Sequence, residues 1–404
     1  MKWINFTFLF LLAANVCFAQ HTITNYTTED GLLHNSVNSV WVDADDNIWF
    51  GTQEGVSRFN GLDEWNSYTE ADGLHTNNTK AVCFDSFGNL WAGSDFGLSK
   101  FDGETWTYFD EDNGLLDNRV TYINQAPDGM VWVGTKGGIS VLDPLDQVQG
   151  FLIITPFGGV THVAFGEKPH ISTALDGVII FDPSGIDNLL ESNGLLSNLV
   201  RAVAIDEEGQ KWIATADGIS LYNASNEFVQ HHEYIFELPP PDKLNPVEDI
   251  KVDSEGTIWA GVYVDYLVTE GGVSFYDGVE WKDYDVDDGL VGPVVRRLDI
   301  DSEDNVWVAT STGVSKIEAL PTSSNQAWEN ASISLLPNPA SDQIILNVPE
   351  ALMYKDFKLF NAQGQLLHTG SINADKQIVD IANLQSGIYV IVVDALYSGT
   401  FIKQ

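Results

Sequence analysis

The stretch Ile48-Trp49-Phe50-Gly51-Thr52 decides the fold, because the chain repeats it. Each copy places a tryptophan in a short run of mostly apolar or small residues, and the copies recur about every 40 to 48 residues. The later tryptophans of the series are Trp91, Trp132, Trp212, Trp259 and Trp307. The one gap of double length, between Trp132 and Trp212, contains Pro169-His170-Ile171-Ser172-Thr173, which fits a copy with histidine in place of tryptophan. The sequence therefore predicts seven units, and a fixed period of this size is typical of repeat folds.

Each unit predicts four short strands separated by turns. In the first unit, Val37 to Val42 and Ile48 to Thr52 are apolar and β-branched, and Asp45-Asp46-Asn47 between them is turn chemistry. Two more strands follow, joined by the hairpin signal Asn60-Gly61. No window of helical length carries a 3.6-residue apolar stripe. The pattern indicates an all-β fold, a seven-bladed β-propeller, in which each unit buries both faces against its neighbours.

The two ends of the repeat region predict a closed ring. The last unit runs through Val314-Ser315-Lys316-Ile317 and then lacks its fourth strand. At the other terminus, residues 25–32 match residues 67–74, which include a fourth strand. We therefore expect the N-terminal strand to complete the seventh unit and to leave no free sheet edge.

Composition and charge limit the class of protein. The chain has 404 residues, of which 44% are hydrophobic, and 19 Lys+Arg against 58 Asp+Glu give a net charge of −39. The apolar content excludes a disordered protein, and the negative charge argues against nucleic acid or an anionic membrane as a partner.

Residues 1–19 show the basic Lys2, an apolar run and Phe18-Ala19, as in a secretory signal peptide. The alternative is a lipoprotein signal using Cys17, preceded by the bulky Val16. Beyond this segment, no stretch approaches the ~20 apolar residues that span a membrane.

A recurring set of turn and strand residues carries a family resemblance. In one unit the set is Asp72-Gly73-Leu74, Asn77, Asp85, Gly88, Leu90-Trp91-Ala92-Gly93-Ser94, Gly97-Leu98-Ser99 and Phe101. Parts of it return at Asn113-Gly114-Leu115, Asn118, Asp128-Gly129 and Gly137-Gly138-Ile139-Ser140. The set resembles the two-component-regulator propeller repeat over about three quarters of the chain, residues 20–320. In that family the propellers are periplasmic sensor regions of hybrid histidine kinases or stand-alone secreted domains. Without a kinase or regulator segment here, the resemblance implies ligand binding and not signalling.

The C-terminal residues 333–404 form a second predicted domain, behind a polar linker at residues 321–332. Its motifs are Leu336-Pro337-Asn338-Pro339, Leu359-Phe360-Asn361-Ala362-Gln363-Gly364, Leu384-Gln385-Ser386-Gly387-Ile388-Tyr389 and the terminal Phe401-Ile402-Lys403. They resemble the C-terminal sorting domain of type IX secretion, a small β-sandwich of Bacteroidetes. The resemblance implies export through the periplasm to the outer-membrane surface or medium, with the secretion machinery as a partner. It assigns sorting to Pro337, Asn338, Pro339, Gly364, Gly387, Tyr389 and Lys403. The alternative is an adhesive sandwich module that happens to be terminal.

Acidic turns are the first candidates for chemistry. Groups such as Asp43, Asp45, Asp46 offer oxygen atoms at alternate positions, an arrangement that suits calcium. They occupy the same hairpin in each unit, where Asp and Asn are ordinary turn residues, and none completes an EF-hand loop. We therefore expect solvated turns and no cofactor, with calcium as the alternative. The sequence also lacks a nucleophile motif, a Gly-rich phosphate loop and paired Cys ligands, so we assign no catalytic residue.

One position of the repeat predicts a ring at the mouth of the central channel. Aligning the starts of the innermost strands brings together Asn38, Lys80, Thr121, Thr161, Arg201, Glu248 and Arg296. Three of the seven are basic in a chain with few basic residues, and they suit an anionic group. The alternative is that these side chains merely offset surrounding carboxylates.

Two enlarged loops of the sixth unit lie on the same predicted face. One leads into the unit, residues 233–241, and the other joins its second and third strands, residues 263–270. Long loops on a repeated scaffold carry function more often than stability. The predicted ligand-binding residues are Tyr234, Phe236, Tyr263, Asp265 and Tyr266 on the loops, with Lys80, Arg201 and Arg296 in the ring. Aromatic and charged groups of this kind suit a glycan, a peptide or a protein. The alternative is that the loops cover each other's apolar residues and bind nothing.

The sequence leaves two classes of function open. The first is a secreted or cell-surface, non-enzymatic binding or sensor propeller with an unknown extracellular ligand. The second is a propeller enzyme, such as a lyase or a polysaccharide-active protein, because propeller lyases acting on antibiotics share a vaguely similar repeat. A His, Glu and Tyr cluster at the channel mouth would distinguish the enzyme from the binding protein.

Overall fold

The computed structural model describes residues 21–151, 159–182, 185–236, 246–264, 270–318, 334–348, 355–361, 366–374, 376–393 and 397–403. By its internal contacts the chain divides into two compact units, residues 1–320 and 321–404. The predicted signal peptide and linker lie outside the described residues, as do Asp265, Tyr266 and Gly364.

The first unit contains seven four-stranded antiparallel sheets, which confirms the predicted β-propeller. Its strands are β1 (Ile23–Tyr26), β2 (Val37–Val42), β3 (Ile48–Thr52), β4 (Gly55–Phe59), β5 (Trp65–Tyr68), β6 (Ala81–Phe84), β7 (Leu90–Ser94), β8 (Gly97–Phe101), β9 (Trp106–Phe109), β10 (Val120–Gln125), β11 (Val131–Thr135), β12 (Ile139–Leu142), β13 (Val148–Phe151), β14 (Val160–Phe165), β15 (Pro169–Thr173), β16 (Val178–Asp182), β17 (Gly185–Leu189), β18 (Val200–Ile205), β19 (Lys211–Thr215), β20 (Gly218–Tyr222), β21 (Phe228–His232), β22 (Val247–Val252), β23 (Ile258–Val264), β24 (Glu270–Tyr276), β25 (Trp281–Tyr284), β26 (Val295–Ile300), β27 (Val306–Thr310) and β28 (Val314–Ile317). Blades 1 to 6 are β2–β5, β6–β9, β10–β13, β14–β17, β18–β21 and β22–β25, and blade 7 is β26–β28 with β1. Three single-turn 3₁₀ helices, Glu70–Asp72, Glu111–Asn113 and Glu191–Asn193, lie in the connections between blades.

The repeated tryptophan strand is the centre of each blade. All five residues of β3 are buried, and the same holds for β7, β11, β19 and β27. Their side chains form apolar clusters between neighbouring blades, for example Trp91 with Ile123 and Val133. In blade 3 the close approach requires glycine at the fourth position, since a Cβ on Gly134 would lie 2.8 Å from Val160 of the next blade. The stability of the ring therefore comes from many small interfaces between blades.

The ring closes through β1, as predicted. β1 pairs antiparallel with β28, with Ile23 opposite Ile317 and Tyr26 opposite Val314. The Tyr26 ring also stacks on Trp307, with 5.7 Å between the ring centroids. The N-terminal strand thus covers the edge that blade 7 would otherwise expose.

The second unit is the predicted β-sandwich. Its strands are β29 (Ser334–Leu336), β30 (Gln343–Asn347), β31 (Asp356–Asn361), β32 (Leu366–Ser371), β33 (Lys376–Asp380), β34 (Gly387–Val393) and β35 (Tyr397–Lys403). They form one sheet in the order β29-β30-β33 and another in the order β32-β31-β34-β35. One apolar cluster joins the two sheets and includes Leu346, Val379, Leu359 and Phe401.

In the described part of the chain, no helix has the length and the hydropathy that a membrane span needs.

Candidate functional site

The structure brings all seven predicted ring residues to one cavity at the mouth of the channel. This upper cavity has a volume of about 220 Å³, and Lys136, Val160 and Arg297 complete its wall. In six blades the ring residue is the extra residue of a β-bulge at the start of the inner strand. A bulge re-aims the side chains around it, so that both Arg296 and Arg297 line the cavity.

Four ring residues also join neighbouring blades. Each donates a hydrogen bond to the carbonyl of the residue that precedes the ring position in the next blade. The bonds are Asn38 Nδ2 to Thr79 O at 2.7 Å, Thr121 Oγ1 to Val160 O at 2.6 Å, Thr161 Oγ1 to Val200 O at 2.9 Å, and Arg296 Nη1 to Val37 O at 3.0 Å. These hydrogen bonds therefore fix the positions of neighbouring blades at the mouth of the channel.

The blade 6 hairpin adds an aromatic side chain to the mouth. β23 and β24 are seven residues long, whereas β3 and β4 have five. Tyr263, near the end of β23, lines a rim cavity of about 470 Å³ together with Arg201, Glu248 and Arg296. The backbone N–H of Tyr263 donates to Pro246 O at 3.3 Å, which ties the hairpin to the segment leading into blade 6. The rim cavity shares these three ring residues with the upper cavity, so the two cavities adjoin each other. Lys80 lines the upper cavity only.

The segment leading into blade 6 is placed differently from the expectation. Tyr234 is 63% exposed and is absent from the described lining of both mouth cavities. Phe236 is only 8% exposed and packs with Ile235 in the core between blades 5 and 6. Gly272 makes room for this ring, since a Cβ there would lie 2.7 Å from it. Phe236 is therefore a core residue that supports the loop, and we leave it out of the ligand contacts.

A polar layer lies below the upper cavity. The Arg297 guanidinium lies 5.4 Å from the centroid of the Tyr122 ring and 3.7 Å from Asp249 Oδ1. The Tyr122 hydroxyl is 2.9 Å from His162 Nε2. Tyr122 and His162 line a further cavity, of about 360 Å³, with Lys251. The layer thus connects Arg297, in the wall of the upper cavity, with Tyr122 and His162, in the wall of the cavity beside Lys251.

Burial sets the protonation of this polar layer. It lowers the pKa of His162 well below its usual value, and the positive charges of Arg297 and Lys251 act in the same direction. Burial raises the pKa of Asp249, while Arg297 and Lys251 oppose the shift. His162 is therefore neutral at pH 7. Sequence reasoning missed the layer, although Tyr122 and His162 each directly follow an aligned ring residue, Thr121 and Thr161.

The acidic turns are not merely solvated. Asp43 is buried, its Oδ2 accepts a 2.8 Å hydrogen bond from Trp49 Nε1, and its Oδ1 accepts from the backbone of Asp45 and Asn47. The same indole bond joins Asp85 to Trp91, Asp206 to Trp212, Asp253 to Trp259 and Asp301 to Trp307. The signal in the sequence was an Asp six residues before each of these tryptophans. In the described residues, no three His, Cys, Asp or Glu side chains cluster to hold a metal ion.

In the second unit, the predicted sorting residues that the structure describes are near the terminal strand. Pro337, Asn338 and Pro339 form an exposed loop, and Asn338 Oδ1 accepts a 2.9 Å hydrogen bond from Ile402 N. Tyr389 is buried, with its ring 5.6 Å from that of Phe401, while Gly387 and Lys403 face each other across β34 and β35.

Each of the two units contains a segment that matches a known family. Residues 334–403 match the family described as the secretion system C-terminal sorting domain. Residues 114–137 match the two component regulator propeller family. The chain carries a regulator-type propeller repeat and a type IX sorting domain. The sorting domain implies an interaction with the secretion machinery and points to a secreted or cell-surface protein.

Solved structures show the same propeller fold. Virginiamycin B lyase from Staphylococcus aureus is 12% identical with a TM-score of 0.56, and the match covers 74% of this chain and 99% of that one. The WD40 propeller domain of Doa1 is 18% identical with a TM-score of 0.53, covering 72% and 94%. The extracellular domain of a hybrid two component system from B. thetaiotaomicron is 16% identical with a TM-score of 0.42, covering 91% and 67%. At these identities the first two similarities show the fold alone, and none of the curated proteins matches this sequence.

Proposed function

We propose that this protein is a secreted or cell-surface, non-enzymatic binding propeller that takes an extracellular ligand at the mouth of its channel. The observation that carries the proposal is that Tyr263, Arg201 and Arg296 line one rim cavity of about 470 Å³. These residues come from three different blades and are far apart in the sequence. Packing of the consecutive blades 5, 6 and 7 brings them together.

The rim cavity has the character of a small-ligand site. Its volume lies in the range of about 300–1,000 Å³ that is usual for such sites. Pro246, Val294 and Val295 supply apolar wall, while Tyr263 supplies an aromatic ring and the two arginines supply directed donors. The walls are the ends of packed inner strands, so the site is held by rigid elements and needs little ordering on binding.

Binding is favoured over catalysis by the groups at the mouth. Among the described residues that line the two mouth cavities, none is a histidine, and the carboxylate is that of Glu248, 3.6 Å from Arg201. His162 lies in the layer below, where Tyr122 bonds its Nε2. An acid–base pair for a lyase needs both groups within reach of one substrate atom. The similarity to a lyase shows the fold alone and adds no catalytic residue.

The predicted signal peptide and the sorting domain support a proposed export route. We propose that residues 1–19 direct the protein to the periplasm as a cleaved signal peptide. The sorting domain then delivers the propeller to the outer-membrane surface or the medium. The ligand is accordingly one that is met outside the cell.

A binding screen followed by substitution tests the proposal. The mature full-length chain is screened against glycan and peptide arrays, and each hit is measured by titration calorimetry. Tyr263→Ala combined with Tyr266→Ala is expected to abolish binding with little change in melting temperature, because the substitutions remove the Tyr263 ring from the rim cavity and a second predicted ligand-binding residue. Phe96→Ala is the control, since it removes an exposed aromatic from a hairpin of blade 2 outside both cavities. Wild-type affinity in the double variant, or its unfolding, would place the site elsewhere.

A further inference from the structure

The basic residues of this chain are concentrated at one place. Five of its 19 lysines and arginines line the upper cavity of about 220 Å³. They are Lys80, Lys136, Arg201, Arg296 and Arg297. The described lining of this cavity includes one carboxylate, that of Glu248. In a protein of net charge −39, this cluster of positive charge indicates a specific role for the cavity.

The two arginines of blade 7 are fixed in place largely by neutral groups. Arg296 Nη1 donates to Ser36 Oγ, Val37 O and Asn38 Oδ1 at 2.8 to 3.1 Å. Arg297 Nη2 donates to Thr161 O at 3.0 Å. Carbonyl and hydroxyl oxygens orient a guanidinium without cancelling its charge. These contacts therefore pre-organise positive charge at the wall of the cavity.

The carboxylates near the cavity balance the cations only in part. Asp95 is 3.8 Å from Lys80, Glu248 is 3.6 Å from Arg201, and Asp249 is 3.7 Å from Arg297. All three separations are longer than a hydrogen bond. Among the described residues, the buried Arg201 Nε has no hydrogen-bond partner. Three carboxylates in these pairs against five cations in the cavity wall leave a positive excess at the mouth.

From this geometry we propose that the channel mouth is an oxoanion site, which takes the carboxylate or sulfate groups of an acidic ligand. The inference deepens the proposed function, because it names the chemistry of the ligand that enters the same mouth. The ligand is either a free small polycarboxylate or a larger molecule that presents an acid group. Thr121 and Thr161, which bond the next blade, complete the polar wall.

Arg297 links the upper cavity to the polar layer. It lines that cavity and lies over the Tyr122 ring, which bonds His162. An acid group in the upper cavity therefore meets Arg297 at the wall, and Tyr263 lines the adjoining rim cavity. The remainder of a larger ligand stays in the rim cavity beside the aromatic ring.

The five cations at the mouth give the site a predicted salt dependence. At contact distance they act on a bound anion more strongly than the charges spread over the rest of the chain, whose net charge is −39. Salt at 0.1 M screens charges beyond about 10 Å and weakens exposed pairs. Added sodium chloride also competes directly for the donors. Binding of a multivalent anion is thus expected to weaken as sodium chloride rises from low to physiological concentration.

Citrate and sulfate are the probes for the test, measured by titration calorimetry on the mature full-length chain. We expect both anions to bind and the neutral trimethyl ester of citrate not to bind. Arg201→Gln and Lys80→Gln should each weaken citrate binding about tenfold, since each removes a charged donor. Lys168→Gln is the matched control, because Lys168 carries the same charge in an ion pair with Asp182 outside both mouth cavities. Melting temperatures check that the variants are folded.

The outcomes separate this inference from the proposed function. Glucuronate binding more tightly than citrate indicates an acid group on a larger saccharide, and the reverse order indicates a free polycarboxylate. Failure of citrate, sulfate and glucuronate to bind at millimolar concentration overturns the inference, as does wild-type affinity in both variants. If a neutral ligand from the screen binds and Tyr263→Ala abolishes that binding, the proposed function stands without the anion site.

Discussion

Closure of the ring by β1 predicts that a short N-terminal truncation destabilises the whole propeller. Removing residues 21–28 deletes β1 and exposes the edge of β28. The same change uncovers two apolar clusters, because Ile23 packs in the one between blades 6 and 7 and Tyr26 in the one between blades 7 and 1. The truncation therefore removes apolar contacts from both interfaces of blade 7.

The magnitude follows from these contacts. Ile23 and Tyr26 are half-buried, and full burial of such side chains contributes about 1.5–3 kcal/mol each, so together they supply about 2 kcal/mol. The antiparallel ladder to β28 adds about 2 kcal/mol, from at least two hydrogen bonds of about 1 kcal/mol each. Stacking of Tyr26 on Trp307 adds about 1 kcal/mol. A total of about 5 kcal/mol is expected.

Urea unfolding of the purified chain, expressed from residue 21 or from residue 29, measures the effect. With a urea dependence of about 2–3 kcal/mol per molar, the midpoint should fall by about 2 M. Tyr26→Ala in the full chain should show part of the fall, and Thr22→Ala, at an exposed position, should show none. Equal midpoints for the two chains would refute closure by this strand.

The sorting domain, the indole–carboxylate bonds and the buried histidines support three further predictions. Deleting residues 333–404 leaves a folded propeller in the periplasm; cell fractionation that finds wild-type amounts at the surface would contradict the sorting assignment. A double-mutant cycle of Asp85→Ala and Trp91→Phe gives a coupling of about 2 kcal/mol in urea unfolding, because a charged acceptor bonds a buried donor; zero coupling would show that the bond is dispensable. Burial lowers the pKa of His170 from 6.5 to about 4, so the unfolded chain binds the proton first as the pH falls. Stability should therefore drop by about 3 kcal/mol between these pH values, and a His170→Gln variant that keeps the full pH slope would exclude His170 as a source.

The fold was predictable because its determinants are local and repeated. Trp49 and its later copies mark the central strand of each blade, and His170 occupies the same place in blade 4, opposite Ala164 as Trp49 is opposite Trp41. The split repeat predicted the pairing of β1 with β28. The ring at the channel mouth followed from the same alignment, since equivalent positions in a repeat lie at equivalent places in space.

The finer features of the site depend on geometry that the repeat pattern does not contain. Strand alternation directs successive side chains to opposite faces, yet the bulge at Arg296 turns Arg297 toward the channel as well. Lys136 reaches the cavity from a turn of blade 3, outside the aligned positions. The sequence places Phe236 in an enlarged loop, but its ring occupies the space beside Gly272 and packs in the core. Each outcome was set by packing between blades.

A crystal structure of the mature chain with a ligand recovered from the binding screen tests the central claim most directly. That claim is that the closed ring creates one binding site at the mouth of the channel. The account predicts ligand density in the rim cavity, in contact with Tyr263 and Arg201, with an acid group directed at Arg297. Density on the outer strands of the blades or in the lower cavity beside Lys251, with the mouth empty, would contradict it.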